Sequence, residues 1–391
     1  MKLSDFSAVT LEQPCAVATL RRRLKIGLPA CLDGSERRFP LTPEAVAMLV
    51  ERGFRVVMEA GAAASINYTD AQYAEAGAVI SSRRDAFGAE VVIYPSGLSR
   101  HDSGMMRPGA MLLTFLHPVV SSPASIEALL HRKVLSLALD LVTDAKGNTP
   151  FADILAEIDG RASIALASSL LADPRRGKGI LLGGIAGVVP CEVTVIGSGI
   201  AAVAAARSAL GLGAMVRMFD DDVYSLRRAS MELGGGVITS VLHPKVLAGA
   251  MRSADVVVVT CTDFHASDDL VRLMKRGVVA FDLAGGKAFP SMRAVDLAAV
   301  AASDPSTSVQ GRLCLVNAGS AVARTAAMAL SNSLLTLLDR IDASEGVNAV
   351  IRLRPEIRRS VLTFLGKPVN EDVARAAGMT GVDISIFLTL S

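Results

Sequence analysis

Residues 192–220, EVTVIGSGIAAVAAARSALGLGAMVRMFD, decide the fold of this 391-residue chain. An apolar strand, a glycine turn, an alanine-rich helix, a second strand and an acidic residue follow one another without interruption. This order is typical of a βαβ unit that binds a dinucleotide. Gly197 permits the sharp turn, Gly199 lets the backbone approach a pyrophosphate, and the small Ala202 lets the helix pack closely on the sheet.

The same unit predicts how a cofactor is held. Amide groups at the start of the helix face the phosphates, which assigns Gly197, Ser198, Gly199, Ile200 and Ala201 to the cofactor site. Asp220 ends the second strand, where a carboxylate accepts hydrogen bonds from the adenosine ribose. Its charge would repel a 2′-phosphate, so the sequence favours NAD over NADP. Since two more aspartates follow Asp220 directly, a solvated acidic turn stays open as an alternative.

The composition favours small-molecule chemistry. The net charge is +2, so there is no chain-wide electrostatic attraction to nucleic acid or to an anionic membrane. Hydrophobic residues make up 51% of the chain, but the longest apolar tracts are broken by Pro190, Glu192 and the glycine turn. Such tracts are typical of buried parallel strands. The first residues lack the apolar core of a secretory signal, and we therefore predict a cytoplasmic protein with no membrane partner.

The cysteines predict neither disulfides nor a metal site. They are scattered singly, without a CxxC pair or a histidine at metal-ligand spacing. We expect reduced, mostly buried thiols at Cys15, Cys31, Cys191, Cys261 and Cys314.

Strands and helices alternate along the whole chain, which predicts an α/β fold of two Rossmann-like domains with doubly wound parallel sheets. We assign 151–323 to the NAD-binding domain, and 1–150 with 324–391, from both chain ends, to the substrate domain. Thr42-Pro43-Glu44 predicts a helix start. Residues 110–116 predict a strand and 156–172 a long helix that crosses between the domains. A further helix over 323–338 returns to the first domain.

Several short motifs, taken in their order along the chain, resemble those of a known protein family. The stretches are Lys25–Pro29, ERRFPLTP over 36–43, TFLH over 114–117, GKGILLGG over 177–184, MKRGVVAFD over 274–282, and ALSN over 329–332. In this order they resemble the alanine dehydrogenase and transhydrogenase alpha-subunit family, from about Leu24 to the C-terminus. The resemblance implies an NAD-dependent oxidoreductase that interconverts an amino acid and a 2-oxo acid.

The resemblance also implies roles for particular residues. Arg38 matches the arginine that grips the substrate carboxylate, and a planar guanidinium suits two oxygens. His117 matches the acid/base histidine beyond a strand end, where an imidazole can move protons near neutral pH. Asp282 and Asn317, at the ends of predicted strands, are assigned to the cofactor site. A solvated Arg38 and a purely structural His117 stay open as alternatives.

The chain departs from the family pattern in three places. The family's substrate-binding lysine falls near Ser96, so its positive charge is lost. The stretch that begins at Asp282 is shorter, and the second aspartate that the family uses at the active site has no counterpart. A different loop over 260–267 carries His265, which is either a replacement acid/base or an exposed loop histidine.

Three functions therefore stay open. The first is a dehydrogenase of the alanine dehydrogenase type, acting on alanine and pyruvate or on a related pair. The second is a catalytically weak NAD(H)-binding paralogue with a sensing or assembly role. The third is a subunit like the transhydrogenase alpha subunit, which requires a membrane partner. A homo-oligomer is possible by family resemblance.

Overall fold

Two parallel β-sheets, each flanked by helices, form the molecule. A computed structural model describes residues 24–32, 34, 36–175, 177–285, 287–296, 313–343 and 355–389. The predicted α/β class with two doubly wound sheets is confirmed.

The first sheet has eight strands and takes its last two from the C-terminal part of the chain. The strands are β1 (Lys25–Leu28), β2 (Arg55–Glu59), β3 (Val79–Ser81), β4 (Val91–Ile93), β5 (Met111–Thr114), β6 (Leu135–Ala138), β14 (Val361–Phe364) and β15 (Lys367–Pro368). Their order is β15-β14-β6-β5-β4-β1-β2-β3. Strands β1 to β6 are parallel, whereas β14 runs antiparallel to β6, and β15 to β14. The order reverses between β1 and β4, where such sheets form a ligand crevice at the carboxyl ends.

Helices from both chain ends accompany this sheet. They are α1 (Pro43–Glu51), α2 (Asp70–Glu75), α3 (Arg83–Phe87), α4 (Arg100–Met105), α5 (Leu116–Val120), α6 (Pro123–His131), α12 (Ala323–Asp342), α13 (Pro355–Arg358), α14 (Glu371–Ala376) and α15 (Ser385–Thr389). As predicted, α1 begins at Pro43, and the Thr42 side chain accepts a hydrogen bond from the Ala45 amide.

The second sheet has seven described strands, all parallel. They are β7 (Glu192–Ile196), β8 (Met215–Phe219), β9 (Val237–Ser240), β10 (Val256–Val259), β11 (Val279–Asp282), β12 (Arg293–Asp296) and β13 (Leu313–Val316), in the order β12-β13-β11-β10-β7-β8-β9. The accompanying helices are α8 (Ile200–Gly211), α9 (Val223–Leu233), α10 (Pro244–Ser253) and α11 (Asp268–Leu273). Here the strand order reverses between β7 and β10, so the nucleotide turn lies at the crevice.

One long helix, α7 (Pro150–Ala172), joins the two sheets. Its Phe151 belongs to the core of the first sheet, whereas Ala162, Ile164 and later residues belong to the core of the second. The predicted crossing helix is therefore present, although it starts six residues earlier than expected. The Thr149-Pro150 pair, with proline in the first turn, marks this start. The boundaries at 150/151 and 323/324 stay predictions.

Three local differences from the sequence predictions have physical causes. The strand predicted over 110–116 ends at Thr114, because the Leu116 amide donates to the Asp140 carboxylate (3.0 Å) and α5 begins there. Strand β12 carries charged residues at both ends and was not predicted. Strand β14 was also missed, since it depends on pairing with β6, more than 200 residues away in sequence.

Helix α12 contains the apolar stretch that was predicted to return to the first domain. Residues 318–342 are long and apolar enough to cross a membrane, and half of the most apolar window is buried inside the molecule. Ala327, Leu330, Leu334 and Leu338 pack in the core of the first sheet. The apolar character of α12 is accounted for by this core.

Candidate active site

The glycine turn after β7 is shaped for close approach. Gly197 has φ = 108°, in the region that favours glycine, and a Cβ there would lie 2.2 Å from the Thr260 Oγ1 atom. Thr260 follows β10, the neighbour of β7 across the reversal of strand order. Gly197 therefore lets the loops after β7 and β10 meet at the crevice.

The start of α8 can receive an anion. Gly199 is the N-cap residue in an extended conformation, and no side chain in the described part of the chain caps the helix. The first amide groups of a helix lack partners within it, and together with the helix dipole they favour a phosphate. A cavity of about 340 Å³ lies beside this turn, and Arg207 and Arg228 are among the residues that line it.

Asp220 is held beside the glycine turn by hydrogen bonds. It is therefore not simply one residue of a solvated acidic turn. Its Oδ2 atom accepts a hydrogen bond from the Ser198 hydroxyl (2.6 Å), and its Oδ1 atom accepts one from the Asp222 amide (2.9 Å). Asp222 has a separate role, because its side chain caps α9. An orphaned helix start, a glycine cradle and an oriented carboxylate together fit a dinucleotide.

Asp282 and Asn317 lie at carboxyl ends of the same sheet. Both Asp282 oxygens accept bonds from the loop that follows, one from the Ala284 amide (2.8 Å) and one from the Ala288 amide (2.7 Å). These bonds give Asp282 a structural task, so its assignment to the cofactor stays a prediction. Asn317 adopts a left-handed conformation (φ = 57°) directly after β13 and starts the turn over 318–322.

Arg38 lies in the loop after β1 and is paired within that loop. Its Nε atom donates to the Glu36 Oε1 atom (2.9 Å), and its Nη2 atom donates to Oε2 (2.5 Å). Only 14% of the Arg38 side chain is exposed. Burial disfavours the charged guanidinium, but the hydrogen bonds and charge of Glu36, together with the charge of Asp159 and a smaller effect of Cys31, outweigh burial and raise the pKa of Arg38. Arg38 is therefore charged and held in one orientation. It is not the solvated side chain that the sequence left open as an alternative.

The Arg38 loop contacts the nucleotide-binding half of the chain. The Arg37 amide donates to the Ser320 hydroxyl (2.9 Å), and Ser320 lies in the turn after β13. In the same turn, the Gly319 amide donates to the Asp159 Oδ1 atom of α7 (2.6 Å). The candidate substrate residue and the end of a cofactor-domain strand thus meet at one junction. Asp159 was not predicted, because nothing local to α7 indicates a partner 121 residues earlier.

His117 lies in the first turn of α5 and is exposed. The adjacent Leu116 amide donates to the Asp140 Oδ1 atom (3.0 Å). Burial raises the pKa of the Asp140 carboxyl, while the Leu116 amide and His117 oppose the shift. Asp140, which follows β6, was also missed, although its place directly beyond a predicted strand resembles that of His117.

The loop that replaces the lysine segment follows β4. Ser96 is 3% exposed, and its Oγ atom has no hydrogen-bond partner among the residues that the structure describes. A Cβ on the next residue, Gly97, would lie 3.9 Å from the Pro118 carbonyl oxygen of α5. The loop therefore lies next to α5, the helix that carries His117. The neighbouring cation Arg83 is bound to Asp102 (2.8 Å) and Glu59 (2.9 Å).

His265 lies in the altered loop after β10. Its Nδ1 atom is 3.0 Å from the Lys287 carbonyl oxygen, so it connects this loop with the one after β11. The side chain is exposed. Its role as a replacement acid/base stays a prediction.

The fold and the site geometry are typical of nucleotide-binding α/β oxidoreductases. Comparisons with known proteins indicate the same class. Residues 27–158 match the family described as "Alanine dehydrogenase/PNT, N-terminal domain", and residues 163–371 match "Alanine dehydrogenase/PNT, C-terminal domain". The chain belongs to the alanine dehydrogenase/PNT family. The resemblance drawn from the sequence motifs is confirmed, as is the prediction of an oxidoreductase of the alanine dehydrogenase type.

Relatives and solved structures are similar over nearly the whole chain. Alanine dehydrogenases of Mycolicibacterium smegmatis and Geobacillus stearothermophilus are each 32% identical, over 93% of this chain and 99% and 100% of their own lengths. A solved L-alanine dehydrogenase superposes with a TM-score of 0.78 at 26% identity, covering 90% of this chain and 99% of that one. A transhydrogenase from Sinorhizobium meliloti gives a TM-score of 0.70 at 21% identity, which shows a shared fold.

Proposed function

We propose that this protein is an NAD(H)-dependent dehydrogenase that interconverts a small amino acid and its 2-oxo acid, with alanine and pyruvate or a closely related pair as substrates. The observation that carries the proposal is the junction between Arg37 and Ser320. It places the loop of the candidate carboxylate-binding arginine against the turn after β13 of the nucleotide-binding sheet. Family membership supports the same reaction class.

The chain's own residues supply binding, orientation and proton transfer. Bound NAD would supply the hydride acceptor, held by Gly197, the start of α8 and Asp220. Arg38, oriented by Glu36, would bind the substrate carboxylate and fix its position for reaction. His117, exposed in the first turn of α5, would accept or donate the proton. Ser96 is neutral. It therefore cannot polarise the substrate carbonyl as a cation at that position would.

The test follows NADH consumption with pyruvate and ammonium, and with a panel of other 2-oxo acids. Arg38→Ala should raise KM strongly, because the carboxylate loses its guanidinium. Arg37→Ala is the matched control, since its side chain is exposed and only its backbone amide bonds to Ser320. NADH and NADPH titrations by fluorescence should show the preference for NADH that Asp220 predicts.

A catalytically weak NAD(H)-binding paralogue is the second candidate. The buried Ser96 hydroxyl and the engaged Asp282 oxygens favour it, because two active-site groups of the family pattern are lost. NADH binding without turnover of any 2-oxo acid would establish this candidate and reject the dehydrogenase. The predicted homo-oligomer is tested by sedimentation of the full chain, and the predicted cytoplasmic location by cell fractionation.

A further inference from the structure

Two carboxylates, those of Glu36 and Asp159, act on Arg38. Glu36 binds Arg38 through three side-chain hydrogen bonds, and Asp159 of α7 lies near enough for Arg38 to lower the pKa of the Asp159 carboxyl. Burial acts on Asp159 in the opposite direction and is the stronger influence, so the pKa of Asp159 lies above its usual range. Ionisation of the Asp159 carboxyl is therefore less favourable than usual, and this carboxyl lies at a site that is proposed to bind an anion.

Asp159 is fixed where it stands. Its Oδ1 atom accepts the Gly319 amide at 2.6 Å. A Cβ at position 319 would lie 2.2 Å from the same oxygen, which shows how tightly the turn over 318–322 packs on α7. Asp159 can therefore not turn away from Arg38 without giving up the junction between the two halves of the molecule.

The charges at this junction are unbalanced. The Arg38 guanidinium provides one positive charge, whereas Glu36 and an ionised Asp159 provide two negative charges. Cys31 also lies near enough to Arg38 to raise its pKa. On the neighbouring turn of α7, Glu157 and Arg161 pair with each other (2.7 Å) and neutralise each other. An arriving carboxylate would meet a net negative site as long as Asp159 is ionised, and like charges disfavour ionisation.

We propose that Asp159 is a specificity-determining residue of the carboxylate site, which opposes an anionic substrate at Arg38 while ionised and takes up one proton from solvent when that substrate binds. This inference rests on the proposed function, because it takes Arg38 as the carboxylate anchor. Asp159 acts through Arg38 and is not itself a catalytic residue. A 2-oxo acid should therefore bind more weakly as the pH rises.

The experiment is calorimetric titration of the full-length protein, saturated with NADH, with pyruvate and then glyoxylate between pH 6.5 and 8.5. In the wild type, the Kd of the oxo acid should rise with pH by up to about tenfold per unit where Asp159 is ionised. Asp159→Asn keeps an oxygen for the Gly319 amide and removes the charge. It should bind the oxo acid more tightly at pH 8.5, by roughly tenfold, and with a weaker pH dependence.

Asp372→Asn is the matched control, because it removes a carboxylate that is 51% exposed and paired with Arg375 on α14. It should match the wild type at every pH. A second measurement needs no variant: titrations in buffers of different ionisation enthalpy report the protons taken up by the wild type. The NADH Kd of both variants should stay at the wild-type value.

The outcomes separate the two claims. Equal oxo-acid affinity of wild type and Asp159→Asn at all pH values, or binding to the wild type without proton uptake, would overturn the role of Asp159 and leave the dehydrogenase proposal standing. Failure of any 2-oxo acid to bind either protein, with NADH bound, would overturn both.

Discussion

Gly197 and Gly199 share one turn but differ in what surrounds them. A Cβ at Gly197 would collide with Thr260, whereas a Cβ at Gly199 would meet nothing within 4 Å, at an ordinary φ of −75°. Gly199→Ala should therefore leave the free energy of unfolding within about 0.5 kcal/mol of the wild type. The same methyl group would stand where the backbone approaches a pyrophosphate, so the NADH Kd should rise roughly tenfold or more.

Gly197→Ala provides the comparison. Its strained φ and steric clash should cost about 1–3 kcal/mol of stability in addition to weakening NADH binding. The two quantities are measured by urea denaturation and by NADH fluorescence. If Gly199→Ala bound NADH as the wild type does, the pyrophosphate would not lie at this turn.

Individual site residues could be predicted only where a motif or a strand end marks them. Arg38 and His117 are predicted from short motifs, whereas Asp159 stands in a helix whose local sequence shows nothing of its partners. Its place near Arg38 arises from the packing of α7 on the turn over 318–322. The buried, unpartnered hydroxyl of Ser96 is likewise a property of the packed loop.

At the scale of elements, one carboxylate holds the segment before β7 in place. Asp255, just before β10, accepts bonds from Lys178 (2.9 Å) and Lys275 (3.0 Å) and from the Glu192 amide (3.2 Å). This cluster lies at the amino edge of the second sheet, opposite the crevice. It gives the GKG sequence around Lys178 a structural task that its motif alone did not show.

Asp255→Asn should lower the stability of the second domain by about 1–3 kcal/mol at pH 7, because two partly buried ammonium groups lose their partner. Burial disfavours ionisation of Asp255, but Lys178 and Lys275 outweigh it and hold its pKa below the usual range. Its contribution is therefore complete above about pH 4 and disappears as the pH falls through the native pKa.

Urea denaturation at pH 7 and at pH 3 measures this change. The difference between wild type and Asp255→Asn should shrink on acidification. Asp372→Asn is the control, because its ion pair with Arg375 is exposed, at 51% and 76% of the side chains, and contributes little. A difference that stayed constant with pH would exclude the ion pairs as its cause.

At the scale of the whole molecule, the two chain ends are joined inside the first sheet. Ser136 of β6 and Thr363 of β14 are fully buried, and their hydroxyls lie 2.6 Å apart. The Thr363 hydroxyl also donates to the Val134 carbonyl oxygen (2.8 Å). These bonds connect residues that are more than 220 positions apart.

Thr363→Val should cost about 1–3 kcal/mol, because it leaves the Ser136 hydroxyl and the Val134 carbonyl buried without this partner. Thr363→Ser keeps the hydroxyl and should lose less. Thermal denaturation followed by circular dichroism compares the two variants. If Thr363→Val lost no more stability than Thr363→Ser, the hydrogen bonds would contribute no more than the γ-methyl group that only the serine variant lacks.

The sequence by itself determined the βαβ unit, the α/β class and the family, because these depend on residues that are close together in the chain. A glycine turn, an N-cap or an apolar strand is recognisable within a few positions. The tertiary structure alone decided that β14 and β15 complete the first sheet, that Asp159 lies near Arg38, and that the Ser96 hydroxyl is buried. These features depend on packing between distant segments, and no local pattern of side chains specifies which distant surface a helix or strand will meet.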